Sequence, residues 1–313
     1  MKNNLKKNNP LISIIINCFN GQKYLKECVE SVLNQSYTNW EIIFWDNLST
    51  DLSKKIIQNY TDKRIKYYCA KKFSNLYKAR NLAIKKSKGE FISFLDVDDF
   101  WFKDKLKKQI AAFKINKKTN VVYGNCILKN DYHIFKKKKY YKQLLPSGKI
   151  SDNLLREYCI PLPTLIIKRK ALDKLKFIFN KNYKIIGDFD LCIRLSVNNI
   201  FMSIQEPLAV YRIHGENYSQ NFRRVEIKEL MNWYKNANKG LFGNNLKNNK
   251  YLVSIKNRFY YLTIMVNCLE KNIFQSLKKI FVGKLSLMKK IKFLIILFLP
   301  KQILKRISFF VVN

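Results

Sequence analysis

The sequence is short of acid. Only 22 Asp and Glu stand against 60 Lys and Arg in 313 residues, a formal charge of +38. Such a balance favours anionic partners: nucleic acid, acidic lipid headgroups or phosphorylated substrates. A compositional origin competes, because Lys, Asn and Ile are abundant together, as an A/T-biased coding sequence produces without any partner. Glycine (9) and proline (6) are scarce, which excludes collagen-like and low-complexity classes. The seven cysteines are odd in number and none lies in a C-x-x-C pair. That excludes a disulfide scaffold, a zinc ribbon and a thioredoxin-type site. Scattered single cysteines suit a reducing cytosol, where they act as small buried hydrophobes. No apolar run reaches the eighteen or so residues of a transmembrane helix. Met1 to Pro10 is basic and polar, and Leu11–Ile16 is too short for a secretory core, so no signal peptide is expected. What is present is apolar material. Hydrophobic residues make 47% of the chain, enough for a core and too much for overall disorder.

The first half alternates short apolar runs with amphipathic segments. Leu11–Ile16, Glu41–Trp45, Arg64–Cys69 and Glu90–Leu95 read as strands, with Val121–Tyr123 as a short fifth. Between them, helical spacing predicts helices over Tyr24–Gln35, from Asp51 to about Tyr60, over Leu76–Ser87 and over Lys103–Asn116. Gly89 follows the third as its expected C′ residue. This alternation predicts an α/β sandwich with a largely parallel sheet, and ligands beyond the carboxyl ends of its strands. Residues 124–187 are less regular, with Lys136–Lys139 read as a solvated loop. Leu165–Ile167, Phe201–Ile204 and Leu208–Tyr211 read as strands, and Phe189–Val197 as a helix. Beyond Asn217 the chain reads as helices joined by Asn- and Lys-rich loops.

The segments after the predicted strands carry the candidate chemistry. Asp96-Val97-Asp98-Asp99 places three carboxylates in four residues, unfavourable unless a cation or donor hydrogen bonds compensate. A divalent cation that also grips phosphates would do so; capping of the helix near Lys103 by Asp98 or Asp99 is the alternative. Asp46-Asn47 and Ser49–Asp51 suit either base or ribose binding or a plain turn. Asp188, in Gly187-Asp188-Phe189-Asp190, suits a general base or a helix N-cap. His214 is one of only two histidines, a ligand, proton carrier or structural residue.

Taken in order, Pro10–Ile16 with Asn17 to Gly21, Ser31–Tyr37, Asp46-Asn47 with Ser49–Asp51, Ala79-Arg80-Asn81, Gly89–Ile92 and Phe94–Asp99 form a specific set. The set resembles the family 2 glycosyltransferases, inverting enzymes of the GT-A fold. The resemblance is dense over residues 10–130 and sparser through Gly187–Leu191 and Tyr211–His214. It implies a Rossmann-like, mostly parallel mixed sheet flanked by helices over 10–215. The nucleotide-binding half would span about 10–125 and the acceptor half about 126–215, with a helical region over 216–313. It implies a nucleotide-diphosphate sugar donor held by Asn17, Phe19, Asn20, Asp46, Asn47, Arg80 and Asp96. It implies a divalent cation, Mn²⁺ or Mg²⁺, on Asp98 and His214, and Asp188 as the base that activates an acceptor hydroxyl. The chain departs from the family pattern at four positions. Asn47 stands where an Asp is usual, Phe19 for Tyr, Asn17 for Pro, and Gly187 for the Glu that would support Asp188.

From Ile273 onward, apolar residues recur every three or four positions among lysines, and Phe293–Leu299 is wholly apolar before Pro300. This predicts basic amphipathic helices able to lie on an anionic membrane, or to pack on the catalytic domain or a second subunit. The implied setting is the inner face of a bacterial cytoplasmic membrane. There the chain would extend a lipid-linked or surface glycan in capsule, O-antigen or lipooligosaccharide synthesis. A nucleotidyltransferase is the competing enzyme class, but Asn17–Gly21 lacks its Gly-rich basic loop. A membrane- or nucleic-acid-binding basic protein is the competing non-enzyme; no nucleic-acid-reading motif supports the latter.

Overall fold

Ile12–Cys18 (β1) and Trp40–Asp46 (β2) are buried at every position. So is Phe91–Phe94 (β4). Buried, mostly apolar runs of this kind belong to strands covered on both faces, and β1 lies between β2 and β4 in parallel register. Ile65–Cys69 (β3) adds in parallel to β2. The computed structural model that shows this describes residues 9–130, 138–215, 222–282 and 286–299. One unit ends at His214 and a second begins at Gly215.

Helices α1 (Gln22–Leu33), α2 (Ser53–Gln58) and α4 (Lys105–Ile115) cover one sheet face. Leu25, Val29 and Val32 of α1 pack there with Ile14 and Ile16 of β1, Phe44 of β2 and Leu106 and Ile110 of α4. Side chains alternate along a strand, so Ile15 and Asn17 face the other way. Helix α3 (Leu76–Lys86) packs on β1 and β2 from that side. Gly89 is not the left-handed C′ residue the sequence suggested, because α3 ends at Ser87 with extended backbone. Glycine is required by close approach: a Cβ at Gly89 would lie 2.5 Å from Ser13 N and 2.8 Å from Leu11 O, both backbone atoms.

The sheet continues through Phe100–Trp101 (β5), Thr119–Asn130 (β6), Lys138–Lys139 (β7), Ile166–Lys168 (β8) and Ile200–Ile213 (β9). The order is β3-β2-β1-β4-β8-β6-β9-β5, with β7 on β6. Pairings of β8 with β4 and β6, of β5 with β9 and of β7 with β6 are antiparallel. The expected three-residue strand at Val121–Tyr123 is thus one end of a twelve-residue strand. The two short strands expected at 201–204 and 208–211 are one strand, parallel to β6. They looked separate because the register shifts between Gly124 and Asn125, opposite Ile204 and Pro207; proline in a sheet belongs at such irregularities. Lys138–Lys139 pairs as β7 rather than looping freely, while 136–137 lie outside the described residues. Helices α5 (Ser151–Arg156), α6 (Arg169–Leu172) and α7 (Gly187–Asn198) complete this unit. Helix α7 starts two residues earlier than expected.

The second unit is helical, as expected: α8 (Arg223–Asn238), α9 (Asn244–Lys247), α10 (Leu252–Leu269), α11 (Ile273–Val282) and α12 (Leu287–Phe298). Ile264, Met265 and Cys268 of α10 pack with Ile280 of α11 and Phe293, Ile296 and Leu297 of α12. Lys284, Leu285 and Pro300 of the amphipathic pattern lie outside the described residues. Among the described residues no helix is long and apolar enough to cross a membrane.

Replacing Gly89 by Ala pushes a methyl into the β1 backbone, which has no side chain to give way. Urea unfolding should register a loss of about 1–3 kcal/mol. A loss below about 0.5 kcal/mol would refute the close-approach account.

Candidate active site

The loops after β1 and β2 are stitched together by side chains. Asn20 adopts a left-handed backbone (φ 53°), and its Oδ1 accepts from Thr50 N at 2.8 Å. Gly21 N donates to Ser53 Oγ at 3.0 Å, and Gln22 N donates to Asp51 Oδ2 at 2.9 Å at the start of α1. Asp46 is buried; it accepts from Ser49 N and from the Tyr67 hydroxyl, both at 2.8 Å. Asn20 and Asp46, expected to hold the donor, therefore spend these side-chain contacts on loop shape. Asn47 forms a mutual amide pair with the backbone of Ser74, donating to its O at 2.7 Å and accepting from its N at 3.3 Å. A base that reached Asn47 would have to share those bonds.

Two features remain open for a ligand here. Asn17 is buried, and neither its amide N nor its amide O has a hydrogen-bond partner. Buried polar groups are rarely left so. Phe19 is exposed and meets Phe73, also exposed, edge to face at 4.9 Å. Phe73 was not singled out from the sequence. Its one signal was a lone aromatic in the polar stretch before α3.

The acidic loop after β4 resolves its own repulsion in three ways. Asp96 forms an ion pair with Arg80 of α3. Asp98 Oδ2 lies 3.0 Å from His214 Nε2. Asp99 is buried and accepts from Arg212 N at 2.9 Å. Burial, with Asp98 and Asp96 nearby, pushes the Asp99 carboxyl well above its ordinary range. Neither Asp98 nor Asp99 caps α4, whose N-cap is Asp104. Arg212 backs the loop: Nε donates to Asp98 O at 2.9 Å and the guanidinium pairs with Glu27 of α1. Arg212 and Glu27 were not assigned from sequence, although Arg212 sits inside the Tyr211–His214 motif.

Asp188 is the second residue of α7, whose N-cap is Ile186, so it is not the cap. It is half-buried. Burial raises its pKa, opposed by Arg80 and by hydrogen bonds that its carboxyl accepts from the backbone N–H groups of Phe189 and of Asp188 itself, with Asp96 adding to the rise. The segment leading to it is fastened to α3. Asn75 donates to Lys181 O at 2.6 Å, and Tyr77 donates to Ile185 O at 2.5 Å. Asn81 exchanges two bonds with the Phe179 backbone, at 2.8 and 3.1 Å. Arg80 is buried on the same helix, its guanidinium 5.5 Å from the Tyr77 ring centre. One helix thus connects the acidic loop to Asp188.

The residues fit a divalent cation in part. Among the described residues no group of three His, Cys, Asp or Glu could hold a metal. Asp98 and His214 supply two donor atoms 3.0 Å apart, close to the cis spacing of an octahedral site with bonds of about 2.1 Å. A Mg²⁺-like cation taking only one or two protein ligands, with the rest from substrate phosphates, is ordinary chemistry. Replacing Arg80 by Met would leave Asp96 without its partner beside Asp98 and Asp99. We expect a loss of about 3 kcal/mol in urea unfolding; a loss under about 1 kcal/mol would show that solvent already satisfies Asp96.

The glycosyl transferase family 2 profile matches residues 13–175. An uncharacterized glycosyltransferase of Haemophilus influenzae is 32% identical over 242 residues, covering 75% of this chain and 92% of that one. The UDP-Glc:alpha-D-GlcNAc-diphosphoundecaprenol beta-1,3-glucosyltransferase WfgD of Escherichia coli is 32% identical over 170 residues, covering 54% of this chain and 64% of that one. The chain spans only 33% of an uncharacterized glycosyltransferase of Rickettsia bellii. Among solved structures, the mannosyltransferase PcManGT of Pyrobaculum calidifontis, in complex with GDP-Man and Mn²⁺, superposes with a TM-score of 0.65 at 13% identity, covering 97% of this chain and 85% of that one. With a profile match over half its length and the fold to accompany it, the chain belongs to glycosyl transferase family 2, with a GT-A catalytic unit.

Proposed function

We propose that the protein transfers a sugar from a nucleotide-diphosphate donor to an acceptor hydroxyl with inversion, in the building of a lipid-linked bacterial surface polysaccharide. The observation that carries this reading is that buried Arg80, ion-paired with Asp96 of the acidic loop, also lies within electrostatic range of the isolated carboxylate of Asp188. In this reading the base of the donor lies against Phe19 and Phe73, and Asn17 and Asn47 offer amides to it. Asp96, oriented by Arg80, meets the ribose. Asp98 and His214 hold the divalent cation. When bound, the cation supplies Lewis-acid stabilisation to the departing diphosphate. Asp188 takes the proton from the acceptor hydroxyl as that oxygen attacks the anomeric carbon from the face opposite the diphosphate. A single in-line displacement inverts the centre. A carboxyl with a raised pKa is a stronger base than an ordinary one, which suits the task.

The test is a thermal-shift screen of UDP-, GDP-, dTDP- and CMP-sugars with and without Mn²⁺, since a ligand of the folded state raises Tm. One nucleotide sugar should raise Tm in a Mn²⁺-dependent way. Asp98→Asn should lose that dependence, and Asp188→Asn should keep the shift while losing transfer to a lipid-linked acceptor. No shift with any of the sugars, or full transfer by Asp188→Asn, would overturn the reading.

We further propose that the helical unit holds the protein on the cytoplasmic face of an anionic membrane. Phe274, Phe281, Leu287, Met288, Ile295 and Phe298 are exposed on α11 and α12, while Ile280, Phe293, Ile296 and Leu297 of the same helices are buried. From Lys271 to the C-terminus the sequence contains no Asp or Glu. Apolar side chains ringed by lysine suit an interface that offers both acyl chains and negative headgroups. The full chain should sediment with phosphatidylglycerol vesicles and be released by salt. Equal sedimentation with phosphatidylcholine vesicles, or none with either, would exclude it.

A further inference from the structure

The acidic loop leaves the sheet at Phe94, the end of β4, and re-enters it at Phe100, the start of β5. Those two strands are not neighbours. β4 pairs with β1 and β8, and β5 pairs with β9. Among the described residues no backbone ladder between β4 and β5 sets the separation of the loop's two ends. A side chain bridges them instead. Lys105, the first residue of α4, is fully buried. Its Nζ lies 2.8 Å from Ser93 Oγ of β4 and 3.5 Å from the centre of the Trp101 ring of β5. The one hydrogen of the Ser93 hydroxyl goes to Leu165 O at 2.7 Å, so its oxygen accepts from Lys105. Trp101 turns its ring to the ammonium and donates Nε1–H to Pro163 O at 2.7 Å. Gln109, one turn along α4, donates to Thr164 O at 2.6 Å. Three successive carbonyls, Pro163 to Leu165, are thus held by one cluster.

A buried ammonium is costly unless it is paired. Among the described residues the polar partners of Lys105 are the Ser93 oxygen and the Trp101 ring, not a carboxylate. An apolar side chain of similar length would fill the same space without that cost. Stability therefore does not account for the charge. What the ammonium adds is a contact at each end of the acidic loop.

We propose that Lys105 is a positioning residue: its ammonium ties Ser93 to Trp101 and so holds Asp96 and Asp98 at the separation that a diphosphate and its cation require. The proposal rests on the reading of Asp98 and His214 as the cation site. Lys105 touches neither substrate nor cation; it acts through residues 95–99. Charge and geometry oppose one another here. Removing a positive charge behind the loop would by itself favour a cation at Asp98, whereas loosening the loop disfavours it.

The probe is Mn²⁺ with inorganic pyrophosphate, which supplies phosphate oxygens without a base or a sugar. Its binding to the full chain is followed by the relaxation rate of water protons. Lys105→Met, similar in length and uncharged, should keep or raise the urea midpoint. It should nevertheless bind the probe roughly fivefold or more weakly, the worth of a hydrogen bond. Ser93→Ala leaves the ammonium and removes its contact with β4, and should weaken binding in the same direction. Binding by Lys105→Met equal to or tighter than that of the unaltered chain overturns the proposal. So does a weakening that Ser93→Ala does not share. Should Lys105→Met not fold, unchanged binding by Ser93→Ala overturns it alone. If the unaltered chain does not bind the probe, or Asp98→Asn binds it equally well, the cation reading itself falls and takes this proposal with it.

Discussion

The site is organised around a buried cation. Arg80 is almost fully enclosed on α3 and paired with Asp96. A guanidinium taken out of water is costly unless its partner and geometry compensate. Here the compensation is Asp96 at contact, with Asp188 within electrostatic range. The arrangement works in both directions. Asp96 compensates the burial of Arg80, and Arg80 answers one of the three carboxylates that the acidic loop gathers. Because Arg80 stands on a helix fastened at Asn75, Tyr77 and Asn81 to the segment that delivers Asp188, the separation of the two acidic elements is a property of α3.

Each carboxylate of the loop has a separate fate, and the differences carry the chemistry. Asp96 faces an arginine. Asp98 faces the imidazole of His214. Asp99 is pressed inward, where burial favours its neutral form. The loop thus presents less negative charge than its sequence suggests, and what it presents is concentrated at Asp98 beside His214. Arg212 makes the arrangement stable from behind by donating to Asp98 O and Asp99 Oδ1.

Much of the first half was legible because its signals are local. An unbroken Ile run reads as β1, and Leu25, Cys28, Val29 and Val32 at helical spacing read as one face of α1. The ordered motifs that resemble family 2 glycosyltransferases carried Asp98, His214, Arg80 and Asp188 to a common region. What was missed depends on contacts between distant positions. Gly89 resembles a helix-ending glycine until β1 is seen against its Cα. The long β6–β9 pair was read as fragments because its irregularity at Gly124 and Pro207 breaks the pattern where the pairing survives. The bonds of Asn47 to the backbone of Ser74 could not be read from local spacing either. Gly187 read as a lost carboxylate; the ring of Tyr77, more than a hundred residues earlier, occupies the space beside it.

The same reasoning bears on the charge. A/T-biased drift accounts for lysines wherever the surface tolerates them, and the i,i+4 pair of Lys26 with Glu30 on α1 is of that solvated kind. Drift has no reason to leave large apolar side chains exposed beside those lysines, because exposed Phe, Leu and Met in a continuous patch invite aggregation. On α11 and α12 the two occur together. Ile280 and Phe293 are buried in the local helical core while Phe274, Phe281, Leu287 and Met288 of the same helices are exposed, and no acidic residue follows Glu270. A compositional bias would account for a count of lysines but not for this arrangement, in which exposed apolar side chains and lysines share α11 and α12.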